Sequence, residues 1–154
     1  MPSFATQRRV PFSASQMLAV VADVERYPEF LPLCQSLKIL SRRDLADGYE
    51  LVARMGVGYK AIAESYTSRV VVRPGEQRVD VRHIEGPFRR LENVWRFRDT
   101  TDGHSIVDFS IDYEFSSPLL AIVVGGVFDQ AVRQFTTAFE ERARDIYGRP
   151  PISV

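Results

Sequence analysis

The clearest pattern lies between residues 91 and 115. Leu91, Asn93, Trp95 and Phe97 alternate with Glu92, Arg96 and Arg98. Val107, Phe109, Ile111, Tyr113 and Phe115 alternate with Asp108, Ser110, Asp112 and Glu114. Period two with one apolar face marks two half-buried β-strands. Setting Trp95 opposite Phe109 keeps both apolar faces inward. The same register places Arg96 against Asp108 and Arg90 against Glu114, opposite-charge pairs worth roughly 0.2–1 kcal/mol each. Turn signals at Asp47-Gly48, Gly56-Val57-Gly58, Arg73-Pro74-Gly75, Gly86-Pro87 and residues 99–103 divide residues 38–115 into six short strands. The middle glycine pair reads as a bend or bulge. Hairpin-length links between such strands predict an antiparallel meander.

The two ends carry different signals. Residues 4–10 read as a strand stopped by Pro11. Ser13-Ala14-Ser15-Gln16 has the form of a capping box, and Met17, Leu18, Val20, Val21 and Val24 continue it as a short helix of about three turns. Pro28 and Pro32 limit helix over residues 25–34, which read as a loop or broken turn. Ser117-Pro118 then opens a long helix, reaching to Tyr147, with Gly148 as its stop and Pro150 beyond. Leu120, Val124, Val127, Ala131, Phe135, Ala138, Phe139 and Ile146 form its apolar stripe. Gln130, Arg133, Thr137, Glu140, Glu141 and Arg144 fall elsewhere on the cylinder. About 30 residues give roughly 45 Å, enough to cross a sheet. The order is α+β. A strongly bent sheet of about seven strands wrapped around that helix leaves space between them unless large side chains fill it.

Bulk numbers narrow the picture. At 154 residues the chain is about one domain, taken as residues 1–154. Its single cysteine, Cys34, excludes an intramolecular disulfide and, with only two histidines, a typical structural zinc site. The first nine residues lack the apolar core of a signal peptide, and the longest apolar run, 119–128, is about half of a membrane span and contains Gly125 and Gly126. A soluble, cytoplasmic protein is expected, with room for peripheral contact at the inner face of a membrane. Basic and acidic residues balance at 20 each, so no global field draws in nucleic acid, and no DNA partner is expected. Only Lys38 and Lys60 are lysine; the other cations are arginine.

The order of elements, together with local motifs, resembles the START-like helix-grip superfamily. The stretch Val24-Glu25-Arg26-Tyr27-Pro28-Glu29-Phe30-Leu31-Pro32-Leu33-Cys34 carries most of the likeness. Gly86-Pro87-Phe88 leading to Trp95-Arg96-Phe97, and Ala138-Phe139-Glu140-Glu141-Arg142-Ala143, add to it. Within the superfamily the chain is similar to the coenzyme Q-binding, polyketide-cyclase-like branch, which also contains a bacterial ribosome-association toxin. The resemblance implies a ligand cavity between sheet and helix, with ubiquinone or a related isoprenoid lipid as the bound ligand and no other cofactor.

Candidate chemistry is sparse. His104 adjoins a turn, and His83 lies in a strand at the parity of Val79 and Val81 without an accompanying nucleophile. Asp108, Asp112 and Glu114 share an outward face opposite arginines, the reverse of the burial that raises a carboxyl pKa. Cys34 has no adjacent basic group and reads as a packed thiol. No phosphate loop, zinc-protease motif or nucleophile elbow is present. The expected activity is therefore binding, not catalysis.

For the cavity, the inward set comprises Met55, Leu91, Trp95, Phe97, Phe109, Ile111 and Tyr113, with Val124, Val127, Phe128 and Phe135 from the helix. Most such residues are ordinarily core. The tips of Trp95 and Tyr113 could bond a quinone carbonyl. Tyr27, Phe30, Leu31 and Leu33, stiffened by two prolines, form either a lid at the cavity mouth that touches ligand or membrane surface, or a plug against the core. Gly125 and Gly126 each cost roughly 1 kcal/mol in a helix relative to alanine, which calls for a close approach or a kink.

Three functions compete. The first is a carrier that aids quinone delivery in respiratory electron transport. The second is a ribosome-binding regulator that blocks subunit association, using Arg78, Arg82, Arg89, Arg90, Arg96 and Arg98 unless Asp80, Glu92, Asp108 and Glu114 neutralise them. The third is a polyketide cyclase, for which only Glu64, Tyr66, Arg69 and His83 offer proton-moving groups.

Overall fold

A computed structural model describes residues 3–59 and 62–148. Strands β1 (Ser3–Val10), β2 (Cys34–Leu45), β3 (Gly48–Tyr59), β4 (Ile62–Arg73), β5 (Arg78–Glu85), β6 (Phe88–Asp99) and β7 (Ser105–Phe115) form one antiparallel, curved sheet in the order β1-β7-β6-β5-β4-β3-β2. The six-stranded antiparallel meander from β2 to β7 is the expected one, although the β3–β4 connection falls after Tyr59 and not at Gly56-Val57-Gly58. The first strand closes onto the last, which leaves β1 and β2 at the edges. Helix α1 (Ala14–Ala22) follows β1, and α2 (Pro118–Tyr147) follows β7.

Local signals explain most boundaries. Ser13 Oγ accepts from the Gln16 amide at 3.1 Å while Gln16 Oε1 accepts from the Ser13 amide at 2.9 Å, the reciprocal capping box. Ser117 Oγ accepts from the Leu120 amide at 3.1 Å and Pro118 opens α2. Gly148, at φ 80°, ends it. Pro150, read as lying beyond that stop, is outside the described residues, as are the first two residues of the N-terminal segment. At the β2–β3 turn Gly48 is required sterically: a Cβ there would sit 1.9 Å from the Val72 carbonyl oxygen. The β6–β7 register is the expected one, with Trp95 opposite Phe109, Arg96 opposite Asp108 and Arg90 opposite Glu114.

Several expectations are corrected. Residues 24–29 are not loop but a 3₁₀ helix containing Pro28, and β2 begins at Cys34 rather than near Lys38. Gly56-Val57-Gly58 does not turn the chain; β3 runs through it to Tyr59. The irregularity lies across the ladder, where β2 carries an extra residue at Gln35. A Cβ at Gly56 would approach Ser36 Oγ to 2.4 Å, and one at Gly58 would meet the Gln35 side chain. Further register shifts fall at Leu40, Ile84 and Arg89. Such bulges bend strands and increase twist, which gives the sheet its curvature. On α2, Ile146 is exposed, although the stripe includes it. Glu140 is buried, although it was placed off the stripe, and it pairs with Arg8 of β1 and with Arg144.

The core has two zones. At one end α1 packs against α2 and against β5, β6 and β7. Met17, Val21, Val72, Val79, Val132 and Ala143 are almost wholly buried there. Every buried residue of α2 lies at Ala131 or beyond, from the middle of the helix toward its C-terminus. The first half crosses the other end of the sheet with a half-buried face, and its opposite side is open: Leu119, Ile122 and Val123 are 69%, 80% and 52% exposed. α2 contains an 18-residue window of mean hydropathy 1.2, of which only 17% is buried. By length and composition the helix therefore reaches a membrane-spanning profile, although its uninterrupted apolar run is short.

A partly open apolar cavity as the candidate functional site

Because α1 and the second half of α2 fill only one end of the curved sheet, a space remains at the other. It is a partly open cavity of about 160 Å³ between α2, mainly its first half but reaching Phe135 and Phe139, and the inward faces of β2 to β7. A second groove, about 520 Å³ but more open, runs along α1 beside β2 and β3 and has Asp23, Glu25 and Arg42 on its rim. The first is the candidate site, since an apolar guest gains most where walls surround it.

Of the residues expected from the sequence, the structure brings Tyr27, Leu31 and Leu33 to the wall from the segment after α1. Met55, Leu91, Trp95 and Ile111 reach it from the sheet, and Val124, Val127, Phe128 and Phe135 from α2. Phe97, Phe109, Tyr113 and Phe30 are off the wall. Phe97 stacks behind Trp95 at 6.3 Å, and Phe109 packs between Trp95 and Phe4 at 4.6 and 6.2 Å. Tyr113 lies behind Phe128, ring centroids 4.7 Å apart. Phe30 packs on Phe139 at 5.2 Å, under the Arg142 guanidinium at 5.3 Å.

The segment between α1 and β2 is tied to its neighbours by hydrogen bonds. The Tyr27 hydroxyl donates to the Val21 carbonyl, and burial pushes that phenol's pKa far up. Leu33 adopts φ 70°, a left-handed conformation unusual for a residue with a Cβ. The Gly58 amide pins it by donating to the Leu33 carbonyl at 3.0 Å. Strain of this kind persists only where surroundings over-determine it; here it places Leu33 at the half-buried end of the cavity. Next to it, Cys34 is buried and its thiol is pushed up to about 11 by that burial, so it is inert rather than nucleophilic at neutral pH.

The sequence anticipates the polar part of the wall only in part: Glu64 and Tyr66 are candidates with their facing open, Asn93 falls on the inward face of its strand, and Ser68 is not among the expected residues. Glu64, Tyr66 and Ser68 of β4 and Asn93 of β6 also line the cavity, with Phe88 and Phe115. The parity was available, since Glu64, Tyr66 and Ser68 share alternation with buried Val70 and Val72, but polar residues on that face concealed it. Asn93 is satisfied: Trp95 Nε1 donates to its Oδ1 at 2.9 Å, and its Nδ2 donates to the Ser110 carbonyl at 2.8 Å. The Trp95 N–H is therefore engaged and not available to a ligand, and Tyr113 is off the wall. Tyr66 differs, because its hydroxyl is buried with no partner. His83 stacks on the Tyr66 ring, centroids 6.0 Å and planes 16° apart, and burial lowers its pKa.

Charge is nearly absent from the wall. Among the described lining residues Glu64 is the one carboxyl side chain, and none is lysine, arginine or histidine. Arg69 turns outward to pair with Glu50 at 3.1 Å. Asp108 accepts from Gln7 at 2.7 Å and Glu114 pairs with Arg89 at 3.2 Å, both away from the cavity. Among the described residues no group of three His, Cys, Asp or Glu side chains is placed to hold a metal.

Comparison with known proteins places this architecture. The chain is 30% identical over 147 residues to the ribosome association toxin RatA of Escherichia coli, covering 96% of this chain and 90% of that protein. It is 34% identical over 152 residues to the coenzyme Q-binding protein COQ10 homolog B of Xenopus laevis, covering 97% of this chain and 61% of that protein. Neither name is that of an enzyme. A START superfamily protein of Mycobacterium smegmatis superposes with a TM-score of 0.75 at 18% identity, over 94% of this chain and 98% of the other, and so shares the fold. Residues 10–140 match the family described as polyketide cyclase / dehydrase and lipid transport. With that match over most of its length, and with the curved sheet gripping a long helix, the chain belongs to the polyketide cyclase / dehydrase and lipid transport family.

Proposed function

We propose that this protein is a non-catalytic carrier of an isoprenoid lipid, ubiquinone or a close relative, and that it supports delivery of that lipid in respiratory electron transport. The observation that carries the reading is the partly open cavity with its almost wholly apolar wall. The likeness to a coenzyme Q-binding protein supports it.

Size shapes the mode of binding. A dry apolar cavity near 150 Å³ is known to take a single benzene ring. A space of about 160 Å³ therefore suits one ring or a short piece of tail, not a whole polyprenyl chain. The remaining tail leaves by the mouth, beside half-buried Leu33, Leu120 and Val124, and lies along the exposed Leu119, Ile122 and Val123. That uncharged face, on a helix of membrane-like hydropathy, is suited to brief contact with a lipid surface during exchange. At about 0.8 kcal/mol per buried CH₂, each isoprene unit contributes roughly a few kcal/mol gross. Tyr27, Leu31 and Leu33 act as the lid in this reading.

Mass spectrometry of lipids extracted from the purified protein, followed by titration with ubiquinone, tests the proposal. A co-purifying quinone and saturable binding are expected. Extracts free of quinone together with no binding of added ubiquinone would overturn it.

A second reading, a ribosome-binding regulator, is favoured by the likeness to a ribosome association toxin across nearly the full chain. The arginine cluster supports it weakly. Arg78 is held by Asp80 at 2.8 and 2.9 Å and Arg89 by Glu114, while Arg82 faces Glu92 and Arg96 faces Asp108 across the ladders. Co-sedimentation with large ribosomal subunits at low salt, lost steeply as salt rises, would favour it over the carrier.

A further inference from the structure

The cavity wall contains one polar station without a protein partner. Glu64, Tyr66 and Ser68 face inward from β4, opposite Val57, Met55 and Ala53 of β3. Tyr66 and Ser68 are 7% and 6% exposed, whereas Glu64, toward the β3–β4 end, is half-buried. The Tyr66 hydroxyl is buried and makes no hydrogen bond. The Ser68 side chain is near enough to act on its pKa but is not in hydrogen-bonding geometry. Buried polar groups in native proteins are almost always satisfied, so an exception calls for a cause. Asn93, in the same wall, shows the rule: its amide oxygen and nitrogen both have partners.

Nor can Tyr66 easily swing away to find one. Its ring is stacked on His83 and meets Phe88 edge-on at 5.4 Å. Burial raises its pKa, so the group remains a protonated donor at any physiological pH. The wall also selects by charge. Among the described lining residues no lysine, arginine or histidine is present to pair with a carboxylate or phosphate, and Glu64 adds an acidic side chain to the wall.

We infer that Tyr66 is the polar anchor of the cavity, its hydroxyl donating to a carbonyl or ether oxygen on a neutral, ring-sized head group. The inference rests on the carrier reading and adds to it both an orientation and a ligand class. The head enters first, toward Tyr66 and Ser68, and the hydrocarbon leaves past Glu64 and the first half of α2. Neutral oxygenated rings are accepted and anionic lipids of equal chain length are refused.

Calorimetric titration of the full chain with three probes tests this: a benzoquinone bearing a ten-carbon alkyl chain, decylbenzene, and decanoate. The wild type should bind the quinone tightest and decanoate weakest. Tyr66→Phe keeps the ring and its stacking, and should weaken the quinone by about tenfold, the worth of one buried hydrogen bond, while leaving decylbenzene unchanged. Because the hydroxyl has no partner in the free protein, the melting temperature of Tyr66→Phe should stay level or rise. Quinone binding that Tyr66→Phe leaves unchanged, decanoate binding as tight as the quinone, or a marked fall in melting temperature would each overturn the anchor while sparing the carrier reading. Failure of both the quinone and decylbenzene to bind would overturn the two together.

Discussion

Trp95 donates its indole N–H to Asn93 Oδ1 at 2.9 Å, two residues away on the inward face of β6. Asn93 donates in turn to the Ser110 carbonyl of β7. This short chain lets a polar residue and the indole of the single tryptophan sit in an apolar wall without an unpaired group. Replacing Asn93 by Leu strands the indole N–H, and the expected cost is about 1–3 kcal/mol of folding stability. Adding Trp95→Phe should restore part of that loss, since the orphan donor is then gone. Urea unfolding of the two single variants and the double variant measures the coupling; a neutral Asn93→Leu would show that the bond carries no structural weight.

Gly125 and Gly126 have no steric reason to be glycine. A Cβ on Gly125 would make an ordinary 3.9 Å contact with Phe115, and one on Gly126 would meet nothing within 4 Å. No neighbouring loop makes the close approach expected from the sequence, and α2 runs unbroken through both. Alanine at either position should stabilise the protein by up to about 1 kcal/mol, a rise of about 2–4 °C in melting temperature for a chain this size. If the pair keeps the first half of the helix loose for ligand exchange, the double alanine variant should also release bound quinone more slowly in stopped-flow measurements. An unchanged or lowered melting temperature would count against this account.

Burial lowers the pKa of His83, whose Nδ1 is buried and unpartnered. The unfolded chain therefore binds a proton at this position more readily than the folded one. Stability from the neutral ring is present above the ordinary imidazole value of about 6.5 and is lost as pH falls below it. His83→Gln should flatten the stability profile between about pH 5 and 7, as read from denaturation midpoints. Cys34 acts at the other extreme. Its thiol is raised to about 11, so the stability due to its neutral form declines as pH climbs from the unfolded thiol's value toward that point. Alkylation at pH 7 should be slow until the protein is unfolded.

Leu119, Ile122 and Val123 point away from the core. Changing all three to Ser should move folding stability little, each within about 0.5 kcal/mol. If this face touches lipid during exchange, the variant should lose association with neutral phosphatidylcholine vesicles and transfer quinone between vesicles more slowly. Equal vesicle binding and equal transfer would remove this face from the proposed path.

Much of the fold was legible because its signals are local. The capping box at Ser13, the Ser117-Pro118 opening and the period-two faces of β6 and β7 each depend on residues within a few positions of one another. The β6–β7 register followed from apolar facing combined with charge pairing. The failures have equally specific causes. Gly56 and Gly58 read as a bend or bulge dividing two strands; they lie within β3, and the bulge is in the neighbouring strand, for whose side chains they make room. Glu140 looked like a surface residue, yet its partner Arg8 arrives from β1, at the far end of the sequence. Phe97, Phe109 and Tyr113 share inward parity with Trp95 and Ile111, and parity alone does not distinguish a cavity wall from the packed layer behind it.

By itself the sequence determined the faces of the last two strands, the extent of the closing helix and the apolar composition of the segment from Tyr27 to Leu33. Periodicity and capping are properties of neighbouring residues, so they can be read along the chain. Tertiary structure alone decided that β1 pairs with β7, that α1 and the second half of α2 fill one end of the sheet, and that the other end stays hollow with Tyr66 unpartnered in its wall. A cavity is the difference between the volume the sheet encloses and the volume the helices supply, and no single segment contains either term.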